Sequence, residues 1–352
     1  MTAAMTAAVT GDRAFVTRRL RPYLADLLAA EQATWKEYGA PWQDVPQALA
    51  CYLDGGKALR PRFCYWGHAV SGKRAGAALL RACAALELLH AFALIHDDLM
   101  DGSDMRRGVP SLHRQLAAEH RRHGWAGDSD GYGQAIAMLT GDYAFALAGQ
   151  LTATLPLRAR LVWGRVVNEL TAGQFLDLTG AARRDRSAEV ARTTAVLKSG
   201  RYTVTGPLRL GAAVAGLAEL PDSLAQYGDL VGEAFQLRDD LLGVFGDPRL
   251  TGKPVGEDLR AGKPTQLIAA AATMLPPGTR PLLSRVGSPA LTDDDAAELA
   301  EALAACGAAA RIEQRIDRNI AAACALVRRA APPARVAAAL CDLAAAATDR
   351  RA

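Results

Sequence analysis

Apolar residues recur at helical spacing from Arg13 to the end of this 352-residue chain, while alternating runs of Val, Ile, Thr and Tyr are scarce. Alanine is abundant and aromatic residues are few, a bias toward helix on intrinsic propensity. A chain patterned this way buries its apolar half by packing helix on helix. The periodicity predicts helices near 13–34, 43–53, 59–70, 75–102, 132–150, 157–180, 187–199, 202–216, 222–246, 264–274, 292–305, 308–330 and 333–348. Breaks fall at Asp54-Gly55-Gly56, His123 to Gly133, Asp247 to Pro264, Pro276 to Pro289 and Pro332-Pro333. None has the length or low complexity of a linker, and no fixed-period repeat is visible. One all-α domain is expected over 13–350, a single-domain bundle of long helices, with a disordered lead-in at 1–12.

The remaining bulk properties mostly exclude. Lys and Arg number 41 against 37 Asp and Glu, a balance that does not point to nucleic acid as a partner. Cys51, Cys64, Cys83, Cys306, Cys324 and Cys341 lie far apart with no C-x-x-C pair, so buried reduced thiols in a cytoplasmic protein are expected. MTAAMTAAVTGDR lacks the basic start and apolar core of a signal peptide. No stretch of about eighteen uninterrupted apolar residues is present, so no transmembrane segment is expected.

Against this even background HDDLMDGSDMRRG, 96–108, sets four aspartates within eight residues and then turns basic. Asp97 and Asp101 are four apart, which stacks them on one helix face, and like charges so placed repel. A divalent cation reverses the sign of that argument, because magnesium joins one or two carboxylates to substrate phosphates. The plain alternative is an acidic helix end in water. The apolar run ALELLHAFALIH before it weighs against that, since it buries most of the helix. On a 100° wheel His90 and Ala93 fall near the aspartate face, whereas Phe92 lies well off it. An EF-hand is excluded by the missing Gly and the missing Glu at loop position twelve.

A second acidic pair lies in GEAFQLRDDLLGVFGD, 232–247, where Gln236, Asp239, Asp240 and Gly243 read as one side of a buried helix. The loop TGKPVGEDLRAGKPT follows, with Lys253 and Lys263 on Gly-rich backbone suited to phosphate. Its spacing is wrong for a P-loop, and Pro264 follows Lys263 where Ser or Thr is required. Earlier, GGKALRPR places Lys57, Arg60 and Arg62 where a loop enters a helix, a favourable setting for an anion. Each basic loop alone reads as solvated surface. Together with two carboxylate pairs they form a set suited to metal and phosphate.

In these motifs the chain resembles the trans-isoprenyl diphosphate synthases, or polyprenyl synthetase family. GGKALRP is similar to that family's GGK-x-x-RP, DDLMD to its first aspartate-rich motif, RRGVPSLH to RRG-x-P-T-x-H, and LKSGRYT to its K-[TS]-G segment. FQLRDDLLGVFGD and GKPVGEDLRAGKPT resemble the second aspartate-rich motif and its lysine loop. Order and spacing agree from about Pro41 to Leu267. The resemblance implies an isoprenoid synthase fold, helices around a deep central cavity, and a homodimer. It implies magnesium, up to three ions with manganese as an alternative, on Asp97, Asp101 and Asp239. Lys57, Arg60, His90 and Arg107 would hold isopentenyl diphosphate. Arg106, Lys198, Gln236, Lys253 and Lys263 would hold the allylic diphosphate, with Ser199 beside Lys198.

The implied reaction is a head-to-tail condensation giving geranylgeranyl diphosphate, because no two-residue insertion separates Asp98 from Asp101 and Phe92 is implied as a floor, with Ala93 beside it. Farnesyl diphosphate is the next expectation. A class I terpene cyclase and a non-catalytic regulatory subunit are further alternatives. One departure stands out: Gly243 occupies the last position of the second motif, which commonly reads DDxxD.

Overall fold

The computed structural model describes residues 11–36, 39–54, 56–246, 256–330 and 332–349. Lys253 therefore lies outside the described residues, as do Gly55 and residues 1–10. The chain is helical as expected. Helix α1 runs through 11–15, a π-helical stretch Val16–Leu20, and Arg21–Trp35; α2 is Ala40–Leu53, α3 Leu59–Ala69 and α4 Ala77–Asp101. A hairpin of β1 (Met105–Arg106) and β2 (Val109–Pro110) follows. Next come α5 (Leu112–His123), α6 (Ser129–Ala153) and α7 (Leu157–Arg183). Helix α8 joins Ala188–Thr194, a π-helical Ala195–Thr205 and Gly206–Val214; α9 is Asp222–Phe245. The rest are α10 (Glu257–Ala261), α11 (Gln266–Met274), α12 (Arg280–Arg285), α13 (Asp293–Ala305), α14 (Ala308–Arg329) and α15 (Ala334–Thr348).

Three apolar clusters hold these helices together. One lies among α1, α4, α6 and α7, a second among α3, α8, α9, α14 and α15, and a third among α9 and α11 to α14. Helix α9 belongs to two of them, and α4 carries a solid run of buried positions from Ala82 to Leu86. Those two helices are thus the most firmly set elements, and both carry an acidic pair near the C-terminal end.

Small residues let the helices around them approach closely. A Cβ on Gly173 of α7 would lie 2.2 Å from the Lys198 backbone nitrogen on α8, and one on Gly232 of α9 would lie 2.6 Å from Gly200 Cα. Side chains at either contact would push apart the helices that carry Lys198, Gln236 and Asp239.

Several expectations need correction. A helix at 112–123 lies where none was expected: its sequence is too polar for a continuous stripe, although Ser111 before it and Gly124 (φ 63°) after it mark its ends. The expected helices 187–199 and 202–216 are one, because the π-helical stretch carries the chain through Gly200 without a break. Of the lead-in expected at 1–12, only residues 11 and 12 are described. Residues 11 and 12 are helical, and Asp12 is buried against Arg62, with Nε–Oδ2 at 2.6 Å. The six cysteines are free, but only Cys64 and Cys83 are buried; Cys51 is exposed and the other three are half-buried.

Helix α4 is long and apolar enough to cross a membrane by length and composition, although Arg81 and Glu87 interrupt its apolar run. However, 56% of its most apolar window is buried inside the protein, as befits a central helix of the bundle.

The Asp12–Arg62 pair gives a direct test of whether Asp12 is folded into the protein. Asp12→Ala leaves a buried guanidinium without its carboxylate and is expected to cost about 3–5 kcal/mol, read as a lowered midpoint in urea unfolding. A change below about 0.5 kcal/mol would place Asp12 in solvent.

Candidate active site

The C-terminal ends of α4 and α9, the hairpin, the start of α3 and the middle of α8 surround one cavity of about 730 Å³. Helix α4 lines it with His90, Ala93 and Asp97; α8 supplies Lys198 and Ser199; α9 supplies Gln236 and Asp239. Lys57 and Arg60 enter before and within the first turn of α3, Arg106 and Arg107 from the hairpin, and Lys263 from the segment after α10. The sequence-derived set therefore converges, although its members span 57 to 263. Asp101 is joined to it through Lys263, whose Nζ lies 2.8 Å from Asp101 Oδ2.

Local structure explains the aim of each cation. Arg107 (φ 53°) and Gly108 (φ 80°) make the two-residue turn of the hairpin, the backbone pattern of a type I′ turn. That turn directs Arg106 back onto α4, where its guanidinium bonds the buried Asp98 carboxylate and lies 3.6 Å from Asp97 Oδ2. Arg107 is thrown the other way and donates to the Asp54 carbonyl at 3.2 Å. Lys198 sits in the π-helical stretch, a departure from regular helix that is frequent at functional sites. Its Nζ bridges Asp97 Oδ1 at 3.1 Å and Asp177 Oδ2 at 2.5 Å.

These contacts set the protonation of the site. Burial alone would raise Asp97, but Lys198, Lys263 and Arg106 override it and hold the carboxyl well below its usual range. Burial works against the ammonium groups of Lys198 and Lys263 too, and the surrounding carboxylates outweigh it, so both are held charged. Asp240 behaves oppositely. Its burial, opposed by hydrogen bonds from Gln236 and Gln266 and reinforced by Asp258 and Asp239, pushes it up to about 7. Glu87, near Arg60 and Arg107, is likewise pushed up to about 7 by burial.

Phe92 does not line the cavity. Its ring packs at 4.5 Å from His96 and 5.1 Å from Phe145, centroid to centroid, in the contact between α4 and α6. Ala93 and Leu94 form the wall instead. Sequence reasoning also passed over residues that belong to the site. Gln174 Nε2 donates to Asp97 Oδ1 at 3.1 Å, and Asp177 is the buried second partner of Lys198. Their signal was GQFLD, a polar pair at i and i+3 on one face of α7. Glu87 and Asp258 also line the cavity.

The donor set fits a cation shared with a phosphate. Among the described residues no three carboxylates, histidines or cysteines converge on one point. One or two carboxylates on each side match magnesium, which completes its oxygen shell from phosphates and water. For the anion, Arg60 has its Nη2 on Thr203 Oγ1 at 3.1 Å and its Cζ 4.2 Å from the Tyr202 ring centroid, while its buried Nε has no hydrogen-bond partner.

Helices around a cavity with acidic ends on two sides and cations between them define a helical enzyme that handles diphosphates. The chain belongs to the polyprenyl synthetase family, whose model matches residues 43–304, and it is a prenyltransferase of the trans-prenyl diphosphate synthase type. It is similar to the geranylgeranyl pyrophosphate synthase of Corynebacterium glutamicum, solved with isoprenyl diphosphate and magnesium: TM-score 0.89, 36% identity, covering 96% of this chain and 99% of that one. The (2E,6E)-farnesyl diphosphate synthase of Mycobacterium bovis is 31% identical over 96% of this chain and 91% of its own. The geranylfarnesyl diphosphate synthase of Aeropyrum pernix is 33% identical over 74% of this chain and 79% of its own.

A carboxyl raised in the folded state favours folding below its ordinary value and loses that contribution as pH rises through the folded value. For Glu87 the window runs from 4.5 to about 7. Glu87→Gln is expected to flatten the fall of the thermal midpoint across that window, measured without added metal; an unchanged slope would remove Glu87 from the account.

Proposed function

We propose that the protein condenses isopentenyl diphosphate with an allylic diphosphate, head to tail, with geranylgeranyl diphosphate as its main product. What carries this reading is the convergence in one cavity of two acidic helix ends with cations from separate loops and helices. Arg106, Lys198 and Lys263 bond the acids, whereas Lys57, Arg60 and Arg107 donate to carbonyls and a hydroxyl. Two such sets of cations support a second diphosphate, and so a condensation over the cyclisation of a single substrate.

Asp97, Asp101 and Asp239 would hold magnesium, up to three ions, with manganese as an alternative. Bound there, the cations would neutralise charge on the allylic diphosphate and improve it as a leaving group. Arg106, Lys198, Gln236 and Lys263 would bind that diphosphate, and Lys57, Arg60, His90 and Arg107 the isopentenyl one. As the allylic carbon–oxygen bond breaks, its electron pair leaves with the diphosphate. The isopentenyl double bond supplies the pair for the new carbon–carbon bond, and the proton then lost passes to the released diphosphate. The side chains orient the two substrates and offset developing charge, so none need act as a nucleophile.

Two features support a twenty-carbon product: the absence of an insertion between Asp98 and Asp101, and similarity across nearly the whole chain to a geranylgeranyl diphosphate synthase. Phe92, next to the wall residue Ala93 and against Phe145, would limit elongation from behind that wall. We further read the protein as a cytoplasmic homodimer. For the dimer the support is the set of exposed apolar side chains on α6 and α7, among them Met138, Leu139, Leu161 and Phe175.

Incubation of the purified protein with labelled isopentenyl diphosphate and each allylic starter is expected to yield geranylgeranyl diphosphate, with Asp97→Ala and Asp239→Ala slower by about 10²–10³-fold while still folded. No consumption of isopentenyl diphosphate would favour a cyclase or a non-catalytic subunit, and a fifteen-carbon end product would make it a farnesyl diphosphate synthase. Phe92→Ala is expected to shift the profile to longer chains, read by chromatography of the dephosphorylated products. An active variant with an unchanged profile would show that Phe92 is core packing only.

A further inference from the structure

Gly243 stands where the second acidic segment would carry its last aspartate, one helical turn beyond Asp239 on α9. The space beside it is taken. A Cβ built on Gly243 would lie 1.9 Å from Asp258 Oδ2 and 2.4 Å from its Cγ. The carboxyl that fills the place of a residue-243 side chain therefore comes from the first turn of α10.

The surroundings of Asp258 set it in the metal and phosphate machinery. It lines the same cavity as Asp97 and Asp239. Its Oδ1 lies 3.8 Å from Lys263 Nζ, the ammonium that also holds Asp101 of the opposite acidic end. The Lys263 backbone N–H returns to the Asp258 carbonyl at 3.1 Å, which fixes the turn carrying both side chains. Position 243 can be glycine because the carboxylate is delivered from another segment, and it has to be small because that carboxylate is there.

We propose that Asp258 replaces the missing carboxylate of the second acidic segment, so that the cation site on the α9 side is built from Asp239 and Asp258. This rests on Asp239 being a metal ligand. The bland alternative makes Asp258 only a counter-ion for Lys263, and the two differ in one respect. A counter-ion acts from its own position on α10, whereas a metal-directed carboxylate can be moved to residue 243 and still serve.

The probe is inorganic pyrophosphate with magnesium, and the readout is the magnesium concentration that gives half of the pyrophosphate-dependent rise in melting temperature. Asp258→Ala is expected to raise that concentration about tenfold or more. Adding Gly243→Asp to Asp258→Ala, where the space is now open, is expected to recover most of the loss. The magnesium dependence of turnover should follow the same order. Asp258→Ser, which keeps a polar group but is short enough to leave space beside residue 243, replaces Asp258→Ala in both the single and the double variant if the latter is destabilised without ligand.

An unchanged magnesium requirement in the Asp258 variants overturns the proposal, as does a folded double variant with no recovery. Asp239→Ala separates the two levels of the argument. If it raises the requirement and Asp258→Ala does not, the site reading stands and only the role of Asp258 fails. If Asp239→Ala has no effect, the α9 site itself is wrong and the proposal falls with it.

Discussion

A cavity that collects carboxylates from several helices has to offset their repulsion, and here the offset comes from three cations that each reach more than one acid. Lys198 joins α4 to α7 through Asp97 and Asp177, Lys263 joins the end of α4 to α10 through Asp101 and Asp258, and Arg106 ties the hairpin back to Asp97 and Asp98. These are cross-links between helices rather than isolated ion pairs. Removing one partner of such a partly buried set leaves the other charge uncompensated, so the arrangement constrains helix placement as well as chemistry. The glycines at 173, 200 and 232 serve the same end, since the lysine of α8 meets its acids only while α7, α8 and α9 stay close.

Most of the architecture was legible because burial writes itself into sequence as period. The long helices and both acidic ends follow from apolar spacing and charge clustering. Where reasoning from sequence failed, the cause was local. Leu112–His123 is mostly polar, so its helix is declared by its ends and not by a stripe. The π-helical stretch Ala195–Thr205 hides behind Ser199-Gly200, which reads as a break on regular helical geometry. Gln174 and Asp177 carry no charge cluster, and only the fold shows that they face Asp97 and Lys198. Phe92 shows the converse: the wheel set it off the aspartate face, and the structure keeps it off the cavity wall.

The same contrast bears on product length. Relatives near 30% identity carry names with different chain lengths, so overall similarity does not fix the product. On the proposed reading, length would be set by the apolar part of the cavity, where one methyl group more or less would change the available depth. Ala93, Leu94 and the layer behind them that includes Phe92 and Phe145 are residues of that kind.

The ion pairs of the site also imply how binding and assembly are coupled. Lys198 and Lys263 are held charged by the acids they touch, and Asp97 is held ionised by them in turn. On the proposed reading, a diphosphate entering the cavity would compete for the same ammonium groups. Each lysine it drew toward itself would uncover carboxylate oxygen at Asp97 or Asp101, and uncovered carboxylates so close together would attract a divalent cation. Anion and cation would then favour each other's binding through the exchange of partners at two lysines, and thermodynamic linkage would make that coupling equal in both directions. The cross-links that set the helices in place would thus be the contacts that substrate has to rearrange.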